Sequence, residues 1–450
     1  MEAQQTNQSH KPALNRHIGL IALTLYGVGD ILGAGVYGLV GKAAGQMGNA
    51  VWLAFLASMI AAGLTGLSYA SLGSRYPKAG GASYITHKAY GKAWLAYGVG
   101  LAVLASGLTS MATGTRVFSG YFQGLVGGNI PLPLIMLGFA GVLAFIVFWG
   151  IRESMWANIV CTVIELSGLL LVVVVGYSFI GSVDLLDTTT AAIPNEGIAP
   201  SLILSGAVLT FFSFVGFEDI LNVSEEVKNP QHTLPRGLLL AVGISSVIYM
   251  LISIIAVSVI PASDLAASKE PLVDVVRKAA PWFPTSIYSI IAMFAVSNTA
   301  LLNFIMGSRL VYGMANQGLL PKSLGKVHQK RHTPHIAAGA IFVILLVLAF
   351  SGDISSLAKA TSVLLLLCFM LVNAALVILK HRKSEPKGAF EVPTFVPVLG
   401  AMVCACMVVY AQGPELTTAG IILGSIAVLY FVIRPKEAAI VAMEEEHSLP

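Results

Sequence analysis

Charged residues are scarce in this sequence. Only 11% of the 450 residues are Asp, Glu, Lys or Arg, whereas 56% are hydrophobic. Soluble proteins carry about 25% charged residues, because their surface faces water. So little charge excludes a soluble globular protein of this length, and it indicates that a lipid bilayer surrounds part of the molecule. The net charge of +4 adds little to that conclusion.

Cysteine is also rare, and enzyme motifs are missing. The sequence has no H-E-x-x-H, no G-x-S-x-G and no P-loop. One G-x-G-x-x-G match, at 33–38, lies inside an apolar run with no strand before it. We therefore expect no enzyme, no cofactor and no nucleic-acid partner. We interpret the cysteines as packing residues, because they lack disulfide or metal spacing. They are Cys161, Cys368, Cys404 and Cys406.

Long apolar runs occupy most of the chain. A helix that spans a membrane needs about 20 mostly apolar residues, and twelve segments meet or approach that length. The sequence therefore predicts an all-α membrane protein with about twelve transmembrane helices. We expect the spans at residues 18–40, 50–72, 93–125, 132–150, 156–181, 200–222, 237–260, 284–315, 335–351, 355–379, 395–411 and 416–433.

The distribution of Lys and Arg predicts the orientation of the bundle, because cytoplasmic loops carry an excess of both. If the N-terminus is cytoplasmic, 20 of these residues lie on the cytoplasmic side and four on the other side. Arg116 and Lys359 fall within spans, and we expect both to extend toward a membrane interface. The sequence thus predicts a multi-pass protein of the cell (inner) membrane with both termini in the cytoplasm.

Two spans carry glycine beside acidic residues. The first contains GDILGAG at 29–35, which includes Asp30, and the sixth contains Gly216 followed by Glu218 and Asp219. Acidic residues at membrane depth are costly, and unwound backbone there is tolerated only beside protein or a water-filled cavity. Because these spans open two successive blocks of five, they predict paired helix breaks at a transport site. The alternative is that the glycines only permit close helix packing.

These runs resemble the amino acid–polyamine–organocation permease superfamily. The resemblance extends in order from residue 18 to about residue 380, through GDILGAGVY (29–37), PKAGGASY (77–84), FFSFVGFED (211–219), EEVKNPQHTLPRG (225–237) and SRLVYGMANQGLLP (308–321). It implies a LeuT-type fold, in which two inverted repeats of five helices precede two additional helices. The implied units are an N-terminal tail (1–17), the repeats (18–181 and 200–379), the additional helices (380–433) and a C-terminal tail (434–450).

The resemblance also implies secondary active transport of an amino acid by alternating access. In the family, backbone at the first break holds the substrate carboxylate, backbone at the sixth holds the amino group, and an aromatic residue there acts as a gate. Phe212 or Phe214 matches the gate. The substrate-binding residues carried over to this sequence are Ile31, Leu32, Gly33, Ala34, Gly35, Phe212, Ser213, Phe214 and Val215.

The ion that couples to transport stays open. Many proton-coupled relatives have a lysine in the fifth helix, where this sequence has Glu165. A carboxyl in the middle of a span suits a proton carrier, although a structural carboxyl and a cation ligand are alternatives. Asp30 and Glu218 are further coupling candidates.

Sodium is the second candidate ion. Ser297 and Asn298 in the eighth span offer the oxygen ligands that hard cations prefer. Serines in membrane helices also bond to backbone carbonyls, which is the structural alternative.

Proton-coupled import of an amino acid is the leading hypothesis for function. The four acids Asp30, Glu165, Glu218 and Asp219 would also suit a cationic amine or polyamine, which is the alternative substrate class. The expected partners are therefore a small-molecule substrate, a proton or sodium ion, and the lipid bilayer.

The predicted orientation places the 319–334 and 380–394 loops in the cytoplasm. Single cysteines at Gln329 and Ser384, in a background without the four native cysteines, should therefore resist impermeant thiol reagents in intact cells. The same positions should react once the cells are permeabilised. Labelling of either position in intact cells would reverse the orientation.

Overall fold

Backbone polar groups find no water in a bilayer, so a spanning chain satisfies them within helices. The computed structural model of the chain describes residues 16, 18–77, 81–149, 155–194, 197–316, 319–329, 331 and 333–433. Over these residues the predicted all-α architecture is confirmed. The helices are α1 (Leu20–Ile31), α2 (Ala34–Met47), α3 (Val51–Arg75), α4 (Gly81–Tyr90), α5 (Ala93–Leu125), α6 (Leu132–Trp149), α7 (Met155–Gly176), α8 (Pro200–Phe211), α9 (Pro230–Val259), α10 (Ala262–Ala267), α11 (Pro271–Ala279), α12 (Thr285–Asn316), α13 (His335–Ser351), α14 (Ile354–His381), α15 (Phe395–Val409) and α16 (Gly413–Ile433).

All twelve predicted spans coincide with helices. Nine helical segments of the described chain are long and apolar enough to cross a membrane, and α1, α13 and α15 are shorter apolar helices. The first span consists of α1 and α2, and the sixth consists of α8 with the 3-10 segments Phe212–Phe214 and Phe217–Glu226. Helices α4, α10 and α11 lie in the connections. They were not predicted, because their short sequences contain no long apolar run.

Packing relates the two blocks of five spans. Helix α1 of the first span packs against α7 and α9, which belong to the fifth and seventh spans. Helix α8 of the sixth span packs against α14 and α3, which belong to the tenth and second spans. Each contact therefore recurs with the equivalent helices of the other block. This is the relation expected of the inverted repeats of a LeuT-type fold.

The two faces of the bundle differ. We call the face that carries Ile18 and the end of α16 the terminal face, and the other the opposite face. At the terminal face, the backbone N–H of Ile18 donates to Glu226 O at 3.0 Å, and the N–H of Lys228 donates to Ile18 O at 2.9 Å. These bonds tie the start of the first span to the end of the sixth.

At the opposite face, connecting segments cover the end of α2. The Lys42 ammonium donates to Ala266 O of α10 at 2.6 Å. The backbone N–H of Ala192, in the connection between α7 and α8, donates to Gly45 O at 2.9 Å. A Cβ added to Gly45 would lie 2.5 Å from the Ala266 Cβ, so the absence of a side chain at Gly45 allows α2 and α10 to pack this closely. The first span is therefore closed at the opposite face.

One buried ion pair attaches the peripheral helix α16. Lys359 Nζ of α14 lies 2.6 Å from Glu415 Oε1 of α16, and the two side chains are only 12% and 5% exposed. The Lys359 ammonium therefore ends at a carboxylate near the start of α16 rather than in water. Arg116 Nε donates to Ala349 O. Cys406 is exposed and departs from the packing role expected of the cysteines.

Removing one partner of a buried ion pair leaves an uncompensated charge, which costs about 3–5 kcal/mol. Glu415→Gln should therefore lower the melting temperature of the purified protein by several degrees. The double substitution Lys359→Met with Glu415→Leu should recover most of that loss, because no buried charge remains. Asp264→Asn, at an exposed position of α10, is the control. A Glu415→Gln melting temperature equal to that of the control would contradict the assigned pair.

Candidate functional site

The first span breaks where the glycine run predicts. Helix α1 ends at Ile31, Leu32 is extended (φ −68°, ψ 152°), and α2 begins at Ala34. Between them, Gly33 has φ 143°, a conformation that side-chain-bearing residues rarely adopt. The break therefore depends on glycine at this position.

The break places two helix ends of opposite polarity side by side. The last carbonyls of α1 and the first N–H groups of α2 have no partner within their own helices, and they carry partial negative and positive charge. Two of these carbonyls are satisfied by side chains. Tyr249 Oη donates to Ile31 O at 2.7 Å, and Thr299 Oγ1 donates to Leu32 O at 3.4 Å. The N-terminal end of α2 suits an anion such as a carboxylate.

The sixth span breaks beside the first. After the 3-10 turn Phe212–Phe214, Val215 is extended and Gly216 has φ 119°. A Cβ added to Gly216 would lie 2.7 Å from Asp30 O, and a Cβ added to Gly35 would lie 2.5 Å from Ser213 Cα. The two breaks are therefore in direct backbone contact, and glycine on each side permits it.

A small cavity of about 20 Å³ lies between the breaks, enough for about one water molecule. Six of the nine predicted substrate-binding residues line it, namely Ile31, Leu32, Ala34, Gly35, Phe212 and Val215. The remaining lining residues are Asp30, Ser110, Gly216, Asp219, Thr299 and Asn303.

The other three predicted residues lie just outside this cavity. Gly33 forms the turn itself. Ser213 is fully buried, and its hydroxyl has no hydrogen-bond partner in the described part of the chain. Phe214 packs edge-on against Tyr249, with ring centroids 5.2 Å apart. Of the two candidate gates, only Phe212 borders the cavity.

A larger cavity of about 360 Å³ adjoins the small one. Its walls come from α4, the first half of α5, the segment Phe217–Glu226 and the second half of α12, so it lies toward the terminal face. Asp219 and Asn303 line both cavities. The volume is typical of small-molecule sites. The breaks are therefore approached from the terminal face, while the opposite face is closed.

Three acids lie at or beside the breaks, of which Asp30 and Asp219 line the small cavity and Glu218 lines neither cavity. Asp30 is 6% exposed, and no hydrogen bond to its side chain is found among the described residues. Glu218 Oε2 accepts from the Gly216 N–H at 3.0 Å. Asp219 Oδ1 accepts from Asn222 Nδ2 at 2.8 Å. Within the described part of the chain, no Lys, Arg or His lines the small cavity.

Glu165 on α7 faces the first break rather than lipid. It is fully buried, and neither carboxyl oxygen has a hydrogen-bond partner within the described residues. A Cβ built on Gly33 would lie 3.7 Å from Glu165 Oε1 and 2.6 Å from Thr299 Oγ1. Glu165 thus lies behind the break and outside the lining of the small cavity.

The eighth span contributes different residues from those named as sodium ligands. Ser297 Oγ donates to Met293 O of its own helix at 2.6 Å, and Asn298 does not line the small cavity. Thr299 and Asn303 reach it instead. Asn303 and Ser110, which also line the small cavity, were not predicted from the sequence. The four-residue spacing of Thr299 and Asn303, which places both on one helix face, is the signal that identifies them.

Comparison with known proteins gives a consistent result. The model of a family described as amino acid permease matches residues 18–433. The chain is similar to the branched-chain amino acid permease BcaP of Bacillus subtilis (strain 168), at 25% identity over 89% of this chain and 88% of that protein. It is also similar to the mouse (Mus musculus) cationic amino acid transporter 4, at 30% identity over 85% of this chain and 62% of that protein. A methylthioribose transporter of Bacillus subtilis (strain 168) is 26% identical over 88% of both chains.

The contact between the breaks predicts that alanine destabilises the protein at Gly35 and has little effect on its stability at Gly63. Gly35→Ala places its Cβ against the Ser213 main chain, which cannot rotate away, and overpacking of this kind costs about 1–3 kcal/mol. Gly63 on α3 has no atom within 4 Å of an added Cβ. Gly35→Ala should therefore lower the melting temperature of the purified protein by several degrees, and Gly63→Ala should not. Equal melting temperatures would contradict the contact.

Proposed function

The chain belongs to the amino acid permease family, and on that premise we propose that it is a secondary active transporter that imports an amino acid by alternating access. The observation that carries the proposal is the meeting of two broken spans at a polar cavity in the middle of the bundle. Helices give up backbone hydrogen bonds in a membrane only beside protein or a water-filled cavity. Paired breaks at matching positions of two repeats are typical of transporter binding sites.

The breaks offer complementary groups for an amino acid. The first N–H groups of α2, at Ala34 and Gly35, suit the carboxylate. The carbonyls of the turn Phe212–Val215 suit the ammonium group. Phe212 borders the same space and is the candidate gate. The small cavity is tighter than an amino acid requires, so binding moves the two breaks apart.

Alternating access requires that the site open to one face at a time. Here the large cavity reaches the breaks from the terminal face, while α10 and the connection after α7 cover the opposite face. The excess of Lys and Arg in the terminal-face loops supports a cytoplasmic location for that face. In a cell membrane with both termini cytoplasmic, this conformation is the one that releases substrate inside the cell.

Proton coupling is the driving reaction that we favour, with Glu165 as its carrier. Its carboxyl is buried, has no hydrogen-bond partner among the described residues and lies against the Gly33 turn, so a change in its protonation acts directly on the break. Asp30 and Glu218 are the second candidates. Sodium is the alternative ion. Thr299 Oγ1 and Leu32 O lie 3.4 Å apart, and two oxygens this close could both bind a sodium ion. Ser297 and Asn298 directly precede Thr299 in the sequence.

The coupling role of Glu165 predicts separate effects on exchange and on accumulation. Glu165→Gln mimics a carboxyl that stays neutral, so it should keep substrate binding and exchange of labelled amino acid. It should lose accumulation driven by an imposed pH gradient in proteoliposomes. Leucine and arginine are the first substrates to test, because relatives are named for branched-chain and cationic amino acids.

Asp264→Asn, which changes an exposed carboxyl on α10, is the matched control and should accumulate substrate normally. Undiminished pH-driven accumulation by Glu165→Gln would refute the carrier role. Uptake that follows a sodium gradient and ignores pH in the unmodified protein would establish sodium as the coupling ion instead. Failure to bind any amino acid in a thermal-shift screen would contradict the proposed function itself.

A further inference from the structure

We propose that Asp30 and Asp219 form a second subsite, which binds a positive charge on the side chain of the substrate. The transported compound is then a cationic α-amino acid. This inference rests on the proposed amino acid transport and names its substrate class.

The two carboxylates converge on one place although they come from different repeats. Asp30 is in the last turn of α1, and Asp219 is in the 3-10 segment after the sixth break. A Cβ built on Gly216 would lie only 3.1 Å from Asp30 Cγ. The backbone N–H of Asp219 donates to Gly216 O at 3.0 Å. Both side chains line the small cavity, and Asp219 also lines the large one.

Polar side chains face this cavity without a partner. Asp30 on α1 is 6% exposed. Ser110 lies on α5, at another wall of the small cavity, and is also 6% exposed. Neither side chain has a hydrogen bond to another described residue. Buried polar groups are nearly always hydrogen-bonded, and leaving them unpaired costs free energy. Unpaired groups on two walls of one cavity indicate that a polar ligand completes the site.

The charge of that ligand follows from its surroundings. Glu218, 7% exposed, adds a third carboxyl beside the pair, and the C-terminal end of α1 adds partial negative charge. Among the described residues no basic side chain lines the small cavity, and Arg309 lines only the large one. A buried carboxylate stays ionised only when a cation pairs with it. A ligand ammonium or guanidinium group would provide it.

The positions of the two helix breaks indicate which part of the substrate carries this positive charge. The N-terminal end of α2 suits a carboxylate, and the Phe212–Val215 turn suits the α-amino group. Asp219 lies farther along, where the small cavity meets the large one, with Asn222 and Asn303 on the adjoining wall. A side chain that extends from the breaks toward the terminal face therefore carries its charge past Asp30 and Asp219. Glu165, the favoured proton carrier, lies outside this lining, so charge selection by Asp30 and Asp219 is separate from proton transfer at Glu165.

The test compares lysine with norleucine, which has the same chain without the ε-amino group. We expect the purified protein to bind lysine at least tenfold more tightly. Asp30→Asn and Asp219→Asn should each weaken lysine binding at least tenfold and change norleucine binding less than twofold, because only lysine uses the carboxylates. Asp264→Asn, at an exposed carboxyl, should change neither affinity. Melting temperatures of the apo variants show whether each one folds.

Other outcomes overturn the inference in distinguishable ways. Equal loss of lysine and norleucine binding in folded variants would give the pair a structural role. Unchanged lysine binding would remove the subsite while leaving amino acid transport intact. If putrescine bound as tightly as lysine, the α-carboxylate of the substrate would contribute nothing to binding, and the site would be one for a polyamine. An unmodified protein that binds neither amino acid while binding others would refute the cationic class alone, and one that binds no amino acid would refute the proposed function.

Discussion

The structure depends on one constraint, which is that a helix in a bilayer can leave its backbone unpaired only where other groups replace the lost hydrogen bonds. The first and sixth spans both break, and each break is supported by the other. Gly216 lies against the backbone of Asp30, and Gly35 lies against the backbone of Ser213. Tyr249 and Thr299 donate to two of the exposed carbonyls. The small cavity lies between the two breaks, and a ligand bound there can form hydrogen bonds with the helix ends that border it.

The same constraint links the site to the conformation of the bundle. Backbone bonds join Ile18 to Glu226 and Lys228, so the terminal-face ends of both broken spans are held together. At the other end, α2 lies under α10 and the connection after α7. The large cavity reaches the breaks from the terminal face, between α4, α5, the segment Phe217–Glu226 and α12. Of these walls, α5 and α12 pack on each other. In the proposed alternating-access mechanism, movement of the two broken spans relative to α5 and α12 would close the terminal face and open the opposite one.

Much of this arrangement is predictable from the sequence, because membrane helices have a strong compositional signal. The twelve spans follow from apolar length, and both breaks follow from glycine beside Asp30 and Glu218. The connection helices α4, α10 and α11 are not predictable in this way, because their residues are polar or amphipathic. The pairing of Lys359 with Glu415 also depends on which helices become neighbours, which periodicity does not specify. For the same reason the sequence offered Phe212 and Phe214 as equal candidates for the gate, although of the two only Phe212 borders the small cavity.

A structure of the protein with a bound amino acid, determined by cryo-electron microscopy, tests the central claim most directly. The account predicts ligand density between the first turn of α2 and the turn Phe212–Val215, with the carboxylate at the N–H groups of Ala34 and Gly35. It also predicts that the two breaks lie farther apart than in the ligand-free protein. Ligand density confined to the large cavity between α4 and α12, with the two breaks still in contact, would contradict it.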